Sequence, residues 1–309
     1  MKALLLLIVS GVLAGSVFIL GKQAGQQQLP PLLILFGQMA GGALVTWLVA
    51  WPTRRFPVCD NQHIRYYLIG GLLGISLPYL LAFYVLQALQ VGLVGLLTAL
   101  SPIMTYALAR GLGMERGHPV RLLGLIIGVS GVAMLVTSQD TLNIDGQWHS
   151  LLIALGIPAL LAASNIYRSR NWPAGSDALP LVIGMLTLQA VWLFIVNLLL
   201  GNFYRYLPSL PDTGLLLTAL GVMAGASYLS SFKLLKVGGP VYLSQMGYVI
   251  TAVTLMFGIL YWNEQYDRRD LISMALILIG VLLTTLTQRF QSSNKQAPVI
   301  ARSNECPAR

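Results

Sequence analysis

Apolar residues run along this chain in long uninterrupted stretches rather than in alternation with polar ones. One stretch, YYLIGGLLGISLPYLLAFYVL, extends from Tyr66 to Leu86 without a charged side chain. A helix of about 20 apolar residues crosses the hydrocarbon core of a bilayer and satisfies its own backbone hydrogen bonds there. Strands of a membrane barrel would alternate over about 10 residues instead. The pattern therefore predicts an all-α polytopic membrane protein.

Prolines and glycines punctuate the apolar stretches and mark their boundaries. We place ten predicted transmembrane helices at residues 3–21, 31–51, 66–87, 92–112, 122–138, 150–168, 179–200, 214–235, 241–262 and 271–288. The first stretch follows Lys2 and is similar to a secretory signal. Its apolar run continues to Leu20 and further stretches follow, so we predict a membrane helix there. The polar segment 289–309 is predicted to be a disordered cytoplasmic tail.

Composition favours lipid as the surrounding medium. The chain has a mean hydropathy of +0.73 and only 9% charged residues, whereas soluble domains carry about 25%. So few charges cannot cover a surface that faces water. The two cysteines, Cys59 and Cys306, show neither a disulfide framework nor metal-ligand spacing. We therefore predict no metal site and no cofactor.

Basic residues are distributed unequally between alternate loops. Fifteen of the 19 Lys and Arg residues fall in the set of loops that includes both termini. The other set carries Lys22, Arg205, Arg268 and Arg269. Because positively charged loops stay on the cytoplasmic side, both termini are predicted to be cytoplasmic. The net charge of +9 is then a topology signal. It is split among short loops without a basic face, which argues against a nucleic-acid partner.

The chain contains an internal repeat. A shift of 149 residues places Glu115 on Glu264 and Tyr79 on Tyr228. It divides the chain into two five-helix units, residues 1–139 and 140–288. Five is an odd number, so the second unit enters the membrane from the opposite side. This is an inverted-topology repeat, and its substrate site is expected near the midplane between the two halves.

Three segments carry a resemblance to a known family. They are ALQVGLVGLLTALSPIMTYALARGLGMER (Ala88 to Arg116), GLIIGVSGVAML (Gly124 to Leu135) and GGPVYLSQMGYVITAVTLMFGILYWNEQ (Gly238 to Gln265). In each half a small-residue turn leads a helix that ends at a Glu, and in the first half a glycine-rich helix follows. The pattern resembles the drug/metabolite transporter superfamily, in its EamA-type ten-helix group of bacterial metabolite exporters.

The resemblance covers about residues 3–288. It implies a secondary exporter of small amphipathic metabolites, such as amino acids or drugs, that works by alternating access. It also implies the bacterial cytoplasmic (inner) membrane as the location, with lipid as the surroundings and a small molecule as the substrate. The chain departs from the family at Gln38, near a position where members often carry Arg, and at Thr251, where Pro102 would project. These departures bear on the substrate class.

Every Asp, Glu and His falls in a predicted loop or at a predicted helix end. Intramembrane proton relays need a buried Asp, Glu or His, and an intramembrane hydrolase needs a base beside its serine. We therefore predict that the protein is not an enzyme. Two rivals stay open. A nucleotide-sugar or phosphometabolite carrier of the same fold should show a Lys or Arg that faces its cavity, and the predicted spans place none at mid-membrane. A non-transport membrane protein needs a catalytic constellation or a large loop domain.

Neutral polar side chains remain as candidates for a substrate cavity. Tyr79 and Tyr228 form the repeat-related pair, and a mid-helix aromatic with a hydroxyl can contact an amphipathic solute. Further candidates for cavity lining are Ser16, Ser101, Asn165, Gln245 and Tyr248. The alternative for the tyrosines and for Ser16 is packing between helices. The alternative for Asn165 and Gln245 is an interhelical hydrogen bond.

Structural roles are predicted for a second group of residues. Pro78, Pro102 and Pro158 lie within spans, where proline removes a backbone hydrogen bond. They should kink their helices, and they could act as hinges. Glu115 and Glu264, at opposite membrane faces, are predicted to tie helix ends to neighbouring loops. A stripe of small residues, Gly124, Gly128 and Gly131, suits close helix packing within the monomer or in a homodimer.

Overall fold

The structure, a computed structural model, describes residues 2–113, 119–137, 148–206 and 210–295. Over these residues it contains helices and no strands. The helices are α1 (Lys2–Gln26), α2 (Pro31–Thr53), α3 (Asn61–Gly71), α4 (Leu77–Val85), α5 (Val91–Thr98), α6 (Ser101–Gly111), α7 (Pro119–Thr137), α8 (Trp148–Arg170), α9 (Ala178–Leu199), α10 (Asn202–Tyr206), α11 (Leu210–Ser244), α12 (Met246–Trp262) and α13 (Arg268–Lys295). A π-helical segment, Leu72–Ser76, joins α3 to α4. Residues 289–295 of the predicted tail belong to α13, and the rest of the predicted tail lies outside the described residues.

Seven helical segments of the described chain are long and apolar enough to cross a bilayer. They are Ala3–Gln26, Pro31–Thr53, Asn61–Val85, Val91–Gly111, His149–Arg170, Ala178–Leu199 and Thr213–Val237. Leu122–Met134 and Met246–Trp262 are shorter apolar helices. The protein is therefore a multi-pass membrane protein, as the apolar stretches predicted.

One predicted boundary is wrong. The Gly238–Gly239–Pro240 turn was expected to end the eighth helix, but α11 continues through it to Ser244, and α12 begins at Met246. Glycine and proline lower helix propensity without deciding the outcome. Packing of an apolar helix supplies most of its stability in a folded protein. Here α11 packs along α1 and α2, and the chain breaks its helix at Gln245 instead.

Two of the three predicted prolines stand where a helix changes its geometry. Pro78 lies in the first turn of α4, directly after the π-helical segment. Pro102 lies in the first turn of α6, after the break between Thr98 and Ser101. Proline suits a first helical turn because its missing N–H needs no partner there. Pro158 lies inside α8. Both breaks interrupt segments long enough to span the membrane, whereas the hinge role of the prolines stays a prediction.

The helices pack around a shared core. The helix α1 contacts α11 and α12, α2 contacts α11 and α9, and α4 contacts α8. The glycine stripe of α7 packs against α13 of the same chain. A Cβ placed on Gly280 would lie 2.5 Å from the backbone nitrogen of Gly128, so only glycine permits this approach. The stripe is therefore used inside the monomer, and a homodimer stays a prediction.

Candidate functional site

A cavity of about 80 Å³ lies at the junction of the two halves of the chain. That volume holds several water molecules or a small polar group. Four of the predicted candidates line it, namely Tyr79, Ser101, Asn165 and Tyr228. Apolar side chains, among them Phe18 and Ile250, cover other parts of its wall. The lining is therefore mixed, with hydroxyl and amide groups beside hydrophobic surface.

The two repeat-related tyrosines meet at the cavity wall. Their ring centroids lie 6.3 Å apart at an interplanar angle of 70°, which is the edge-to-face arrangement that aromatic pairs prefer. Phe18 of α1 packs on Tyr79 at 5.5 Å between centroids. Gln38 of α2 donates from Nε2 to the Tyr228 hydroxyl over 3.5 Å. Both tyrosines are thus held in place by neighbours from other helices.

The remaining candidates are divided between the cavity and other positions. Ser101 begins α6 on the lining, beside the break that precedes Pro102. Ser16 is half-buried on α1, where its hydroxyl donates to the Val12 carbonyl at 3.0 Å, and it is not part of the lining. Gln245 lies buried at the break between α11 and α12. Tyr248 lies in the first turn of α12, and neither side chain lines the cavity.

Arg168 is the cavity residue that the sequence analysis missed. It was counted among the cytoplasmic basic residues, yet it lies in the last turn of α8, only 5% exposed, and lines the cavity. A basic residue therefore does line the cavity, and it comes from a helix end and not from the middle of a span. The cause is close packing, because α8 continues to Arg170 and glycines face it. A Cβ on Gly74 would lie only 2.9 Å from the Cβ of Ser164 on α8, so glycine is what permits this approach.

The guanidinium of Arg168 has few partners for a buried cation. Its Nη2 donates to Asn165 Oδ1 at 3.1 Å, and its Cζ lies 5.3 Å from the ring centroid of Phe232. Its Nε has no hydrogen-bond partner within the residues that the structure describes. Among the described residues, no carboxylate forms an ion pair with it. A signal was present in the sequence, since Asn165 and Arg168 are three residues apart and share one helix face.

Glu264 lies in a second polar cluster, away from the cavity lining. Asn263 adopts a left-handed conformation, with φ 50°, at the end of α12. This conformation commonly ends a helix and turns the chain back. The Glu264 carboxylate then accepts hydrogen bonds from the backbone N–H of Val91 at 2.7 Å and of Gly92 at 3.2 Å. It therefore caps α5, which has no side-chain cap of its own.

Two side chains complete the shell around the Glu264 carboxylate. Lys22 Nζ of α1 lies 2.7 Å from Oε1, and the Tyr266 hydroxyl donates to Oε2 at 2.6 Å. Burial alone raises the pKa of Glu264, but the hydrogen bonds from Lys22, Tyr266 and Val91 and the Lys22 charge lower it below its ordinary value. The cluster holds α1, α5 and α12 together. Glu115, its partner in the repeat, lies outside the described residues.

The chain is similar to known membrane proteins in its sequence and in its fold. Residues 1–137 match the EamA-like transporter family. Protein PecM of Dickeya dadantii (strain 3937) is 23% identical over 307 residues, which cover 96% of this chain and 88% of PecM. The uncharacterized transporter YvbV of Bacillus subtilis (strain 168) is 24% identical over 269 residues, 85% of each chain.

One solved crystal structure has the same fold. It superposes with a TM-score of 0.61 at 17% identity, covering 94% of this chain and 98% of the other. At that identity the likeness concerns the fold alone. Two relatives at 23% and 24% identity extend the similarity over most of the chain. Residues 1–137 are thus similar to the EamA-like transporter family, and the described helices are those of a multi-pass membrane protein.

Proposed function

We propose that the protein is a secondary transporter that exports small amphipathic metabolites, such as amino acids or drugs, by alternating access. It would work in the bacterial cytoplasmic membrane with both termini in the cytoplasm. The observation that carries the proposal is the cavity between the two halves, where Tyr79 of the first half meets Tyr228 of the second. Transporters built from inverted repeats bind their substrates at this position.

Reciprocal helix packing supports ten spans arranged as two inverted repeats. A shift of 149 residues maps α1 onto α8 and α4 onto part of α11. In the fold α1 packs on α11 and α4 packs on α8, which is the exchange that a pseudo-twofold axis requires. In the same way α2 contacts its counterpart α9, and α7 contacts its counterpart α13. If α7, α12 and α13 also cross the membrane, they and the seven longer spans make ten.

Alternating access needs elements that can change shape beside the cavity. The π-helical segment and the break before α6 both lie on its wall, through Gly74 and Ser101. Irregular backbone at membrane depth is tolerated where it lines a cavity. Discontinuous helices form the binding sites of several transporter folds. We therefore assign the movable part of the first half to the segments next to Pro78 and Pro102.

Uptake into proteoliposomes tests the proposal. Purified protein would be reconstituted and assayed with a panel of radiolabelled amino acids and small aromatic solutes, with protein-free liposomes as the blank. We expect saturable flux of at least one solute. Tyr79→Ala and Tyr228→Ala should each lower it about tenfold, since each removes an aromatic contact and its hydroxyl. Tyr84→Ala is the matched control, because Tyr84 lies on the same helix as Tyr79 but is 53% exposed.

Two outcomes would contradict this assignment. Full flux in both cavity variants, at equal reconstitution, would place the substrate elsewhere. An equal loss in Tyr84→Ala would show that tyrosine removal from α4 disturbs the fold in general. Absence of flux for the whole panel in both directions would count against transport itself.

A further inference from the structure

We infer that Arg168 forms an anion-binding subsite of the central cavity, and that the transported molecule is a small organic anion bearing a carboxylate or a phosphate. The inference deepens the proposed function, and the claim that the anion is transported rests on that function. The subsite itself rests on the surroundings of one guanidinium, which lies in the last turn of α8 and faces the cavity.

The first step concerns charge. A buried cation is costly unless an opposite charge and hydrogen bonds compensate it. Arg168 keeps its charge under all ordinary conditions, yet in the described part of the chain its partners are neutral. They are the Asn165 amide oxygen and the Phe232 ring. An anion in the cavity would supply an opposite charge, so the surroundings of Arg168 favour an anionic ligand.

The second step concerns donors. A guanidinium offers five N–H donors in a planar fork that matches a carboxylate or a phosphate. Asn165 accepts from Nη2, and no described residue is a hydrogen-bond partner of Nε. The ring of Phe232 on one side and the hydrogen bond to Asn165 limit the movement of the group. Arg168 is therefore held in place with donors to spare, as an anion site requires.

The third step concerns the rest of the cavity. No Asp or Glu is among the described lining residues, so nothing there repels an anion. Ser227 and Ser231 line the cavity but donate their hydroxyl hydrogens to backbone carbonyls of Ser10 and Tyr228. Apolar side chains such as Leu161 complete the wall. This pattern suits a ligand with one charged end and an apolar body.

The rival explanation is that Arg168 only sets the orientation of its helix in the membrane. A basic residue at a helix end commonly lays its stem on apolar surface and keeps its head in water. Arg170, two residues further along α8, is exposed in this way, whereas Arg168 is 5% exposed and opens on the cavity. The two arginines share a helix end and differ in burial. Arg170 is therefore the matched control for Arg168.

Ligand-induced stabilisation tests the subsite directly. The full chain in a neutral detergent would be heated with benzoate, phenyl phosphate, benzamide or benzylamine, and affinities would be taken from the concentration dependence of the unfolding temperature. We expect benzoate or phenyl phosphate to stabilise the protein and the neutral and cationic analogues to fail. The stronger of the two anions identifies the group as carboxylate or phosphate.

Three variants assign the effect to the guanidinium. Arg168→Gln should weaken binding of the preferred anion at least tenfold, as expected for a lost charge-assisted hydrogen bond. Arg168→Lys keeps the charge without the planar fork and should fall between the wild type and Arg168→Gln. Arg170→Gln should bind as the wild type does. Unchanged binding in Arg168→Gln would overturn the subsite.

The wild type alone can also overturn the inference. If benzamide or benzylamine binds as tightly as the two anions, the cavity has no anion preference, whatever the variants do. Flux of the same four probes in proteoliposomes separates the two proposals. Flux of benzylamine that persists in Arg168→Gln, without anion flux, would retain transport and reject the anionic substrate. Anion binding through Arg168 without flux of any probe would retain the subsite and reject transport.

Discussion

Glu264 and Arg168 are both buried ionic groups, but their surroundings differ sharply. The Glu264 carboxylate accepts hydrogen bonds from Lys22, Tyr266 and two backbone N–H groups of α5. Over the described ranges of the chain, the partners of the Arg168 guanidinium are one amide oxygen and one aromatic ring. Burial is similar in the two cases, whereas compensation is complete in one and partial in the other. The hydrogen-bond and ion-pair partners of a buried charge therefore distinguish a structural group from one that can bind a ligand.

Glu264 and Arg168 also differ in the parts of the protein that they connect. Glu264 joins the end of α12 to the N-terminus of α5 and, through Lys22, to α1. All of these partners belong to the protein, so the cluster is complete without a ligand. Arg168 instead faces a cavity from the end of α8. Its uncompensated charge is a cost to the empty protein that an anionic ligand would remove.

The largest expected effect comes from breaking the complete cluster. Glu264→Gln removes the counter-charge of Lys22, whose side chain is only 11% exposed, and weakens the cap on α5. Removing one partner of a buried ion pair costs about 3 kcal/mol. We expect a loss of that size in the free energy of unfolding, measured by chemical denaturation in detergent micelles.

A double-mutant cycle sharpens this prediction. Lys22→Met in the Glu264→Gln background removes the charge left uncompensated, so the double variant should be more stable than the sum of the single losses implies. Asp267→Asn is the control, because Asp267 is an exposed carboxylate three residues from Glu264. Additive losses in the cycle would contradict the assigned ion pair.

Removal of the charge of Arg168 should have the opposite effect on stability. Arg168→Met removes a buried cation that has no carboxylate partner among the described residues, and it keeps a long apolar side chain. Replacing buried charge by apolar volume is neutral or stabilising, by about 1 kcal/mol. We expect equal or higher stability in the same denaturation assay. A loss as large as that of Glu264→Gln would mean that Arg168 is a structural group.

The contrast explains what could be predicted from the sequence. Long apolar runs predicted the helices because a membrane leaves the backbone few alternatives. The boundary at Gly238–Gly239–Pro240 was wrong because local propensity was outweighed by packing of α11 on its neighbours. Tertiary contacts of this kind have no local sequence signal.

The site was predictable only in part, for a related reason. The repeat singled out Tyr79 and Tyr228, which meet in the fold. Arg168 was missed because counting basic residues by loop treats every arginine at a helix end alike. Burial distinguishes Arg168 from Arg170, and burial depends on the glycines of another helix. Gly74 is the residue that lets α8 approach closely enough to cover the guanidinium.

The smallest expected effect is the contribution of Glu264 to the acid dependence of stability. Its pKa lies below the ordinary value of 4.5, because hydrogen bonds from Lys22 and Tyr266 outweigh the opposing effect of burial. A carboxyl with a lowered pKa in the folded state stabilises the protein above its unfolded pKa and loses that contribution as the pH falls through the folded pKa. Stability of the wild type should therefore decline below about pH 4.5.

The decline in stability must be compared between the wild type and Glu264→Gln, because other carboxyl groups titrate in the same pH range. The backbone N–H of His63 lowers the pKa of Asp60, and Lys236 lowers that of Asp177. Both groups are present in wild type and in Glu264→Gln, so their contributions cancel in the difference between the two curves. We expect this difference to be constant above pH 5 and to shrink toward pH 3, as measured by unfolding temperature. Parallel curves over the whole range would show that the carboxylate charge does not stabilise the cluster, and the contrast with Arg168 would then rest on hydrogen bonds alone.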